Sequence, residues 1–349
     1  MRRIRRLTAA VGAITIASAF VVGPASAQSG RAESYVGSAA GKALDLTVLS
    51  LPKVTLGVST AKVTSLPTAV AEGAGSLGLV GATQRAEVAN TGSTTLPNAC
   101  AVPLPIAGIL DIGLACGTAS ASIAAGNNPV ASGEGSVATI DLSGQNLLNT
   151  VAPITDTISG TVGSALSTVC GALALTCPLT GTVGDVLNSV LETKTLELAA
   201  GKSTSSVTAE AGKVTASAVA TGAEIKLLPT PEVAGVLSTE PLATIIVGQA
   251  KATAVYDRAT GVATPTVDPA LVRVRLNTLL TSTLGLPQEI TVPIGQSLIV
   301  PGTAGTPLET EIVVAAGRTV NNPDGTVSAF ADAVKIHALK GISGGILLS

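Results

Sequence analysis

The sequence predicts a mainly β protein, in which β-sandwich-like strand-rich regions carry an inserted two-helix hairpin. Three observations support this prediction. On both sides of the middle of the chain, Val, Thr, Ala and Ser alternate with a period of two between Gly and Pro residues. A central stretch instead repeats apolar residues every three or four positions. Runs of Ala on one face of the expected strands favour the close approach of two sheets.

Residues 1–27 have the three parts of a secretory signal peptide. Arginines crowd the first six residues, residues 7–22 are apolar, and Ala25-Ser26-Ala27 forms a small-residue cleavage site. A transmembrane anchor would need about 20 apolar residues, whereas Gly23-Pro24 ends this run after 16. We therefore expect export through the Sec route and a mature N-terminus at Gln28; the twin-arginine route is the alternative that Arg2-Arg3 raises.

The first strand-rich region covers residues 28–144, and the helical hairpin covers residues 145–195. Val54-Thr55-Leu56-Gly57-Val58 and Ala119-Ser120-Ala121-Ser122-Ile123 alternate as strands do. In the hairpin, apolar residues recur at helical spacing while polar residues fill the other face. These apolar positions are Leu148, Val151, Ile154, Ile158, Val162, Leu166 and Val169, followed by Leu179, Val183, Val186, Leu187, Val190 and Leu191.

The second strand-rich region covers residues 196–349. Ala250, Ala252, Ala254 and Tyr256 share one face of an expected strand. Asn321-Asn322-Pro323-Asp324-Gly325 predicts a turn, with strands expected before it at Glu311-Ile312-Val313-Val314-Ala315 and after it at residues 326–338.

A weak internal similarity links residues 37–46, 218–227 and 329–338. In each, an alternation of small residues leads into a strand of charged and apolar residues. A repeated type of strand explains this better than duplicated modules, because a chain rich in Ala, Gly, Thr and Val also matches itself by chance.

The four cysteines lie in the exported part, where disulfides persist. They form two local pairs, Cys100 with Cys116 and Cys170 with Cys177, each bracketing a short segment with turn-forming residues. We expect both pairs to be structural disulfides, the second closing the turn of the helical hairpin. A CxxC redox or metal site would need a different spacing.

Composition and charge exclude several classes of function. The chain has no Trp, two Phe, two Tyr and a single His, which excludes a site of several histidines and a platform of stacking aromatic rings. Removing the four arginines of the leader leaves 16 Lys and Arg against 22 Asp and Glu. This acidic balance disfavours nucleic acid and anionic lipid as partners. Beyond the leader, no apolar run is long enough for a membrane span.

Several short motifs imitate catalytic sites. Gly341-Ile342-Ser343-Gly344-Gly345 fits a nucleophile elbow without the acid and histidine that should follow it. Gly73-Ala74-Gly75-Ser76-Leu77-Gly78 fits a dinucleotide fingerprint, but strand-like sequence follows it. Ser50-Leu51-Pro52-Lys53 and Ser59-Thr60-Ala61-Lys62 fit S-x-x-K without a K-T-G partner. His337 alternates with Ile336, as expected of a half-exposed polar position on a strand. We expect no catalytic residue, cofactor or metal here.

Carboxylates are the remaining route to catalysis, because a hydrolase can use two acids. They are scattered singly along the sequence, and Asp324 in its turn is at most a weak calcium ligand. The carboxylates considered are Asp141, Asp156, Asp185, Glu192, Asp257, Asp268, Glu309, Glu311 and Asp332.

The signal peptide, the Cys-closed hairpin and three sequence segments together resemble secreted surface proteins of Gram-positive actinobacteria, of the choice-of-anchor families. The three segments are Ser34-Tyr35-Val36-Gly37-Ser38-Ala39, Tyr256-Asp257-Arg258-Ala259-Thr260-Gly261 and residues 331–339. The resemblance implies an exported, β-rich envelope protein, usually followed by an anchoring tail. No such tail follows Ser349, so we expect either a missing C-terminal part or a released protein.

We therefore expect a secreted or cell-wall-associated structural or adhesive protein without catalytic activity. Its partner would be a cell-envelope component or another surface protein. Two alternatives stay open at this point: a secreted hydrolase that uses carboxylates, and a ligand- or ice-binding β-solenoid. A solenoid would show Thr at a fixed period, and the spacing of Thr here is irregular.

Overall fold

The structure is a computed structural model, and it describes a defined part of the chain. The described residues are 17–22, 35–48, 54–66, 68–77, 83–101, 104–106, 110–126, 128–143, 194–210, 212–227, 232–233, 236–237, 240–278, 281–282, 285–301, 304, 309–321, 327–331, 334–338, 340 and 346–348.

Within these ranges the regular structure consists of strands. In chain order they are β1 (Ala17–Val22), β2 (Val36–Val48), β3 (Val54–Thr64), β4 (Thr68–Leu77), β5 (Thr83–Val88), β6 (Gly92–Ala101), β7 (Leu104–Ile106), β8 (Leu110–Ile112), β9 (Ala115–Ala124), β10 (Asn128–Ser143), β11 (Lys194–Glu210), β12 (Lys213–Thr221), β13 (Glu224–Leu227), β14 (Glu232–Val233), β15 (Val236–Leu237), β16 (Ala243–Val247), β17 (Ala250–Asp257), β18 (Val262–Asp268), β19 (Val272–Leu276), β20 (Glu289–Val292), β21 (Ser297–Ile299), β22 (Glu311–Val314), β23 (Arg318–Asn321), β24 (Val327–Ala331), β25 (Val334–Ala338) and β26 (Ile346–Leu348).

The strands form two large sheets and one small hairpin. Sheet A has 11 strands, and successive strands pair along the path β21-β22-β25-β26-β2-β1-β24-β23. β26 and β1 pair with different parts of the same side of β2, and β3, on the other side of β2, leads on to β4 and β5. Sheet B has 13 strands, and successive strands pair along the path β18-β17-β12-β11-β13-β16-β19-β20. β12 and β13 pair with different parts of the same side of β11, and β10, on the other side of β11, leads on to β9, β6, β8 and β7. β14 and β15 form the small hairpin.

The two sheets pack face to face around one hydrophobic core. β2 lies against β11 and β12, β3 and β4 lie against β9 and β10, and β24 lies against β17 and β18. The prediction of a mainly β protein is therefore confirmed, and its architecture is a sandwich.

Both strand-rich regions contribute to both sheets. Strands that precede residue 144 and strands that follow residue 193 occur in each of them. β10 and β11 pair directly, with Ser143 opposite Lys194, so the intervening segment leaves and returns at one end of the sandwich. Residues 145–193 of the predicted helical hairpin, with Cys170 and Cys177, lie outside the described residues, and its last two predicted residues, 194 and 195, belong to β11.

Many strands have one half with small inward-facing residues and one half with large ones. Along β10, Ala131, Gly133 and Gly135 face the core first, and Ile140 and Leu142 follow. An added Cβ at Gly133 would lie 2.1 Å from the backbone oxygen of Glu72 in the other sheet. The two sheets therefore touch backbone to backbone in the small-residue half, and larger side chains separate them in the other half.

The internal similarity in the sequence reflects the same order of small and then large inward-facing residues, within one strand in the first segment and across two consecutive strands in the other two. Residues 37–46 lie in β2, residues 218–227 cover β12 and β13, and residues 329–338 cover β24 and β25. In each, Ala or Gly faces the core before larger residues do, for example Ala329 and Ala331 before Ile336.

The alternation predicted at Ala250, Ala252, Ala254 and Tyr256 is confirmed, because all four side chains are fully buried. The turn at residues 321–325 lies mostly outside the described residues. β23 (Arg318–Asn321) and β24 pair across it. The expected strand at Glu311–Val314 exists but pairs with β25 instead.

Candidate binding face

The outward face of sheet B carries a row of hydroxyl side chains that crosses seven neighbouring strands. Each residue of the row is directly opposite the next one in the antiparallel pairing, and each lies at an outward, half-buried or exposed position. The row consists of Thr95, Ser120, Ser132, Ser206, Ser217, Thr253 and Thr266.

A second row runs two residues further along the same strands, and five of its seven positions also carry hydroxyl groups. Neighbouring strands lie about 4.8 Å apart, and alternate residues on a strand lie about 6.6–6.8 Å apart, so the two rows form a regular grid. The second row consists of Ser93, Ser122, Val130, Thr208, Thr215, Val255 and Thr264. We call the two rows together the hydroxyl face.

Charged residues occupy the same outward face over the large-residue half of the sheet. Asp111 is opposite Asp141, Asp141 is opposite Glu197, and Glu197 is opposite Lys226. Lys226 donates a hydrogen bond to Glu197 over 2.8 Å. This bond is the main cause that raises the pKa of Lys226, and Asp141 adds to the effect. The lysine therefore stays protonated beside the three carboxylates.

Neither the hydroxyl rows nor the carboxylate row could be found by sequence spacing. Asp141 and Glu197 are 56 positions apart in the chain, and only the register of β10 with β11 places them opposite each other. The outward Ser and Thr at alternate positions of each strand were the available signal.

The first predicted disulfide is confirmed. Cys100 in β6 and Cys116 in β9 are directly opposite each other, with sulfurs 2.09 Å apart and Cα atoms 4.1 Å apart. The disulfide fastens β6 to β9 beside the hydroxyl face.

His337 lies half-buried on β25, opposite Glu311 of β22. Burial is the main cause that lowers the pKa of His337, and the nearby Lys340 ammonium lowers it further, whereas Glu311 raises it. Lys340 is 3.0 Å from Glu311 and 3.3 Å from Glu309, so a cation lies between these two acids. This arrangement is an ion cluster on the outer side of sheet A.

Three hydroxyl groups are buried between the sheets. Ser59 Oγ of β3 lies 2.8 Å from Ser205 Oγ of β11, and Ser205 donates to the backbone oxygen of Ser59 over 3.1 Å. The Ser203 hydroxyl donates to the backbone oxygen of Gly57. Ser59 faces the core while Lys62 is exposed, so the S-x-x-K match at residues 59–62 does not place a base beside its serine.

The dinucleotide-like match at residues 73–78 has a packing role where the structure describes it. Gly73 lies in β4, and a Cβ there would be 2.1 Å from the backbone oxygens of Glu134 and Thr118. The S-x-x-K match at residues 50–53, the elbow match with Ser343, and the carboxylates Asp156, Asp185, Glu192, Asp324 and Asp332 lie outside the described residues.

Two of the segments that carry the family resemblance meet at one end of the sandwich. The Arg258 guanidinium lies 5.1 Å from the ring centre of Tyr35. Asp257 accepts hydrogen bonds from the backbone of Ala259 and Thr260, which lower the pKa of its carboxyl group, Thr260 having the larger effect. These contacts order the turn between β17 and β18.

Comparison with models of known protein families gives no match, and neither does comparison with curated proteins. In the described part of the chain, no three His, Cys, Asp or Glu side chains converge as a metal site would require. In the same described ranges, no helix is long and apolar enough to cross a membrane.

Proposed function

We propose that the chain is a secreted or cell-wall-associated adhesive protein that uses the hydroxyl face to bind a repeating, hydroxyl-rich polymer of the cell envelope. The two rows across seven strands are the observation that supports this proposal. Serine and threonine hydroxyl groups both donate and accept hydrogen bonds, and so do the hydroxyl groups of a polysaccharide.

The regularity of the grid supports a polymer as the partner rather than a small molecule. A small ligand is usually held in a concave pocket by a few convergent polar groups. The hydroxyl face instead offers many equivalent groups at fixed spacings, so many weak contacts can act together along one polymer chain.

The signal peptide supports the location. Residues 1–27 have the three-part pattern of a leader that would direct the chain out of the cell, and the Cys100–Cys116 disulfide suits an oxidising compartment. The described sheet ladders are antiparallel, whereas a β-helical solenoid stacks parallel strands, so the sandwich does not favour the solenoid alternative.

The row of Asp111, Asp141 and Glu197 is the observation that favours the hydrolase alternative. Two facts weigh against it: all three acids lie on the outward face of the sheet, and Glu197 is ion-paired with Lys226 at 2.8 Å. A screen of ester, peptide and glycoside substrates with wild type and Asp141→Asn tests the alternative. Turnover that is lost in Asp141→Asn at an unchanged melting temperature would support the hydrolase.

The adhesive proposal is tested by the binding of purified protein to isolated cell envelopes of the producing organism. Ser206→Lys places a long cation in the centre of the first row, where Ser132 and Ser217 flank it. We expect at least a tenfold loss of binding, because the lysine holds the polymer away from the face.

Thr60→Lys on the outer side of sheet A is the matched control and should bind as the wild type does. Both variants should keep the wild-type melting temperature. Equal envelope binding by Ser206→Lys and wild type would contradict the proposal.

A further inference from the structure

The apolar run of the predicted leader forms an interior strand of sheet A. β1 lies inside residues 1–27, and it pairs with β2 on one side and with β24 on the other. Ala19 is opposite both Ala39 and Ala329, and the pairing extends over six residues of β2 and five of β24. Cleavage after Ala27 would therefore separate an interior strand from the rest of the sheet.

The gap that β1 fills is held open by a neighbouring strand. β26 lies on the same side of β2 as β1 does, further along the strand. It pairs with β2 at residues 46–48 and with β25 at residues 336–338, whereas β1 pairs with residues 36–41 of β2. It keeps β2 and β25 two strand spacings apart, about 9–10 Å. β24 ends only three positions before β25 begins, so it must stay close to β25. Because β26 holds β25 away from β2, β24 is held away from β2 as well.

The two strands that border the gap lack the features that protect natural sheet edges. The β2 side reads Val36-Gly37-Ser38-Ala39-Ala40-Gly41 and β24 reads Val327-Ser328-Ala329-Phe330-Ala331, without charge or proline. β18, at the end of the order of sheet B, instead carries Pro265. Unprotected edges accept further strands.

The bottom of the gap is apolar. β1 lies against β12 and β17 of sheet B, whose inward-facing alanines are buried. A chain without β1 would expose part of this surface and two rows of unpaired backbone groups, and a peptide strand would cover both.

We propose that the exported chain carries a strand-accepting slot between β2 and β24. Its ligand is an extended, uncharged peptide of small and β-branched residues, supplied by another polypeptide, that runs antiparallel to both strands as β1 does. The inference rests on the proposed export, because cleavage of the leader is what empties the slot.

The test uses the full chain with a specific protease site placed at residues 24–28. The chain is folded, cleaved and then mixed with a fluorescent peptide of the β1 sequence, Ala-Ser-Ala-Phe-Val-Val, extended by lysines for solubility. We expect the labelled peptide to displace the cleaved leader, to co-elute with the protein at the size of one chain, and to raise the melting temperature of protein freed of its leader.

The matched control is the same peptide with Ala19→Pro, which removes a backbone donor from the centre of the strand. We expect it to bind at least tenfold more weakly. The slot would be refuted if the labelled peptide does not bind and does not raise the melting temperature of the protein freed of its leader. A cleaved chain that dimerises regardless of added peptide would assign the gap to a second copy and overturn the proposed ligand.

This experiment uses purified protein, so its result does not depend on whether the leader is cleaved in the cell. A chain that keeps its leader in the producing organism would contradict export and leave peptide binding by the cleaved protein intact, so the two failures are distinguishable.

Discussion

Substituting Gly133 by alanine tests the backbone contact between the two sheets. The added Cβ would lie 2.1 Å from the backbone oxygen of Glu72 and 2.6 Å from that of Thr60. Neither oxygen can rotate away, because both belong to paired strands of sheet A. The sheets must therefore separate locally, at a cost near the upper end of the roughly 1–3 kcal/mol typical of overpacked cores.

An opposing effect of about 0.5–1 kcal/mol comes from the lower backbone entropy of alanine in the unfolded chain. The expected net loss in free energy of unfolding is thus about 2 kcal/mol, which corresponds to roughly 3 °C in melting temperature at an unfolding entropy of about 2.1 cal/mol/K per residue over a chain of this length. Thermal and urea unfolding followed by far-UV circular dichroism measure it.

Ser132→Thr is the control for Gly133→Ala, since it adds a methyl group at the neighbouring outward position of β10. It should change the free energy of unfolding by less than about 0.5 kcal/mol. A Gly133→Ala protein that is as stable as wild type, or more stable, would refute the close approach of the sheets.

Three further predictions concern the buried hydroxyl groups, the disulfide and the histidine. Ser205→Ala should lower the free energy of unfolding by about 1–2 kcal/mol, because the backbone oxygen of Ser59 loses its buried donor; an equal effect from the outward Ser206→Ala would argue against this origin. Replacing both Cys100 and Cys116 by alanine should cost roughly 3 kcal/mol in urea unfolding by the entropy model, and unreduced peptide mapping that joins Cys100 to another cysteine would contradict the pairing. The folded state lowers the pKa of His337 below the unfolded value of 6.5. The unfolded chain therefore takes up a proton on His337 more readily, so the free energy of unfolding is highest above pH 6.5 and declines as the pH falls below 6.5. His337→Gln should flatten this decline in melting temperature, and an unchanged pH profile would contradict the assignment.

The strands were predictable because their alternation is local. Tyr256 and the alanines before it could be assigned to a buried face from their spacing alone, and the structure buries them fully. The Cys100–Cys116 pair was predictable for a related reason, since its 16-residue separation brackets one short segment.

The hydroxyl face was not predictable in the same way. Ser132, Ser206 and Thr253 line up only after three antiparallel registers are fixed, and register depends on contacts between distant parts of the chain. The same holds for the acids of the charged row, which look scattered in the sequence. The strand at Ala17–Val22 was also missed, because an apolar run after arginines predicts a leader without indicating where it would pair.

The proposed export and surface role are tested most directly by the mass of the protein recovered from the surface of washed cells and from the culture medium of the producing organism. An exported envelope protein should be found there with its N-terminus at Gln28 and with Cys100 joined to Cys116. Protein that stays inside the cell and begins at Met1 would contradict export, and with it the adhesive role at the cell surface.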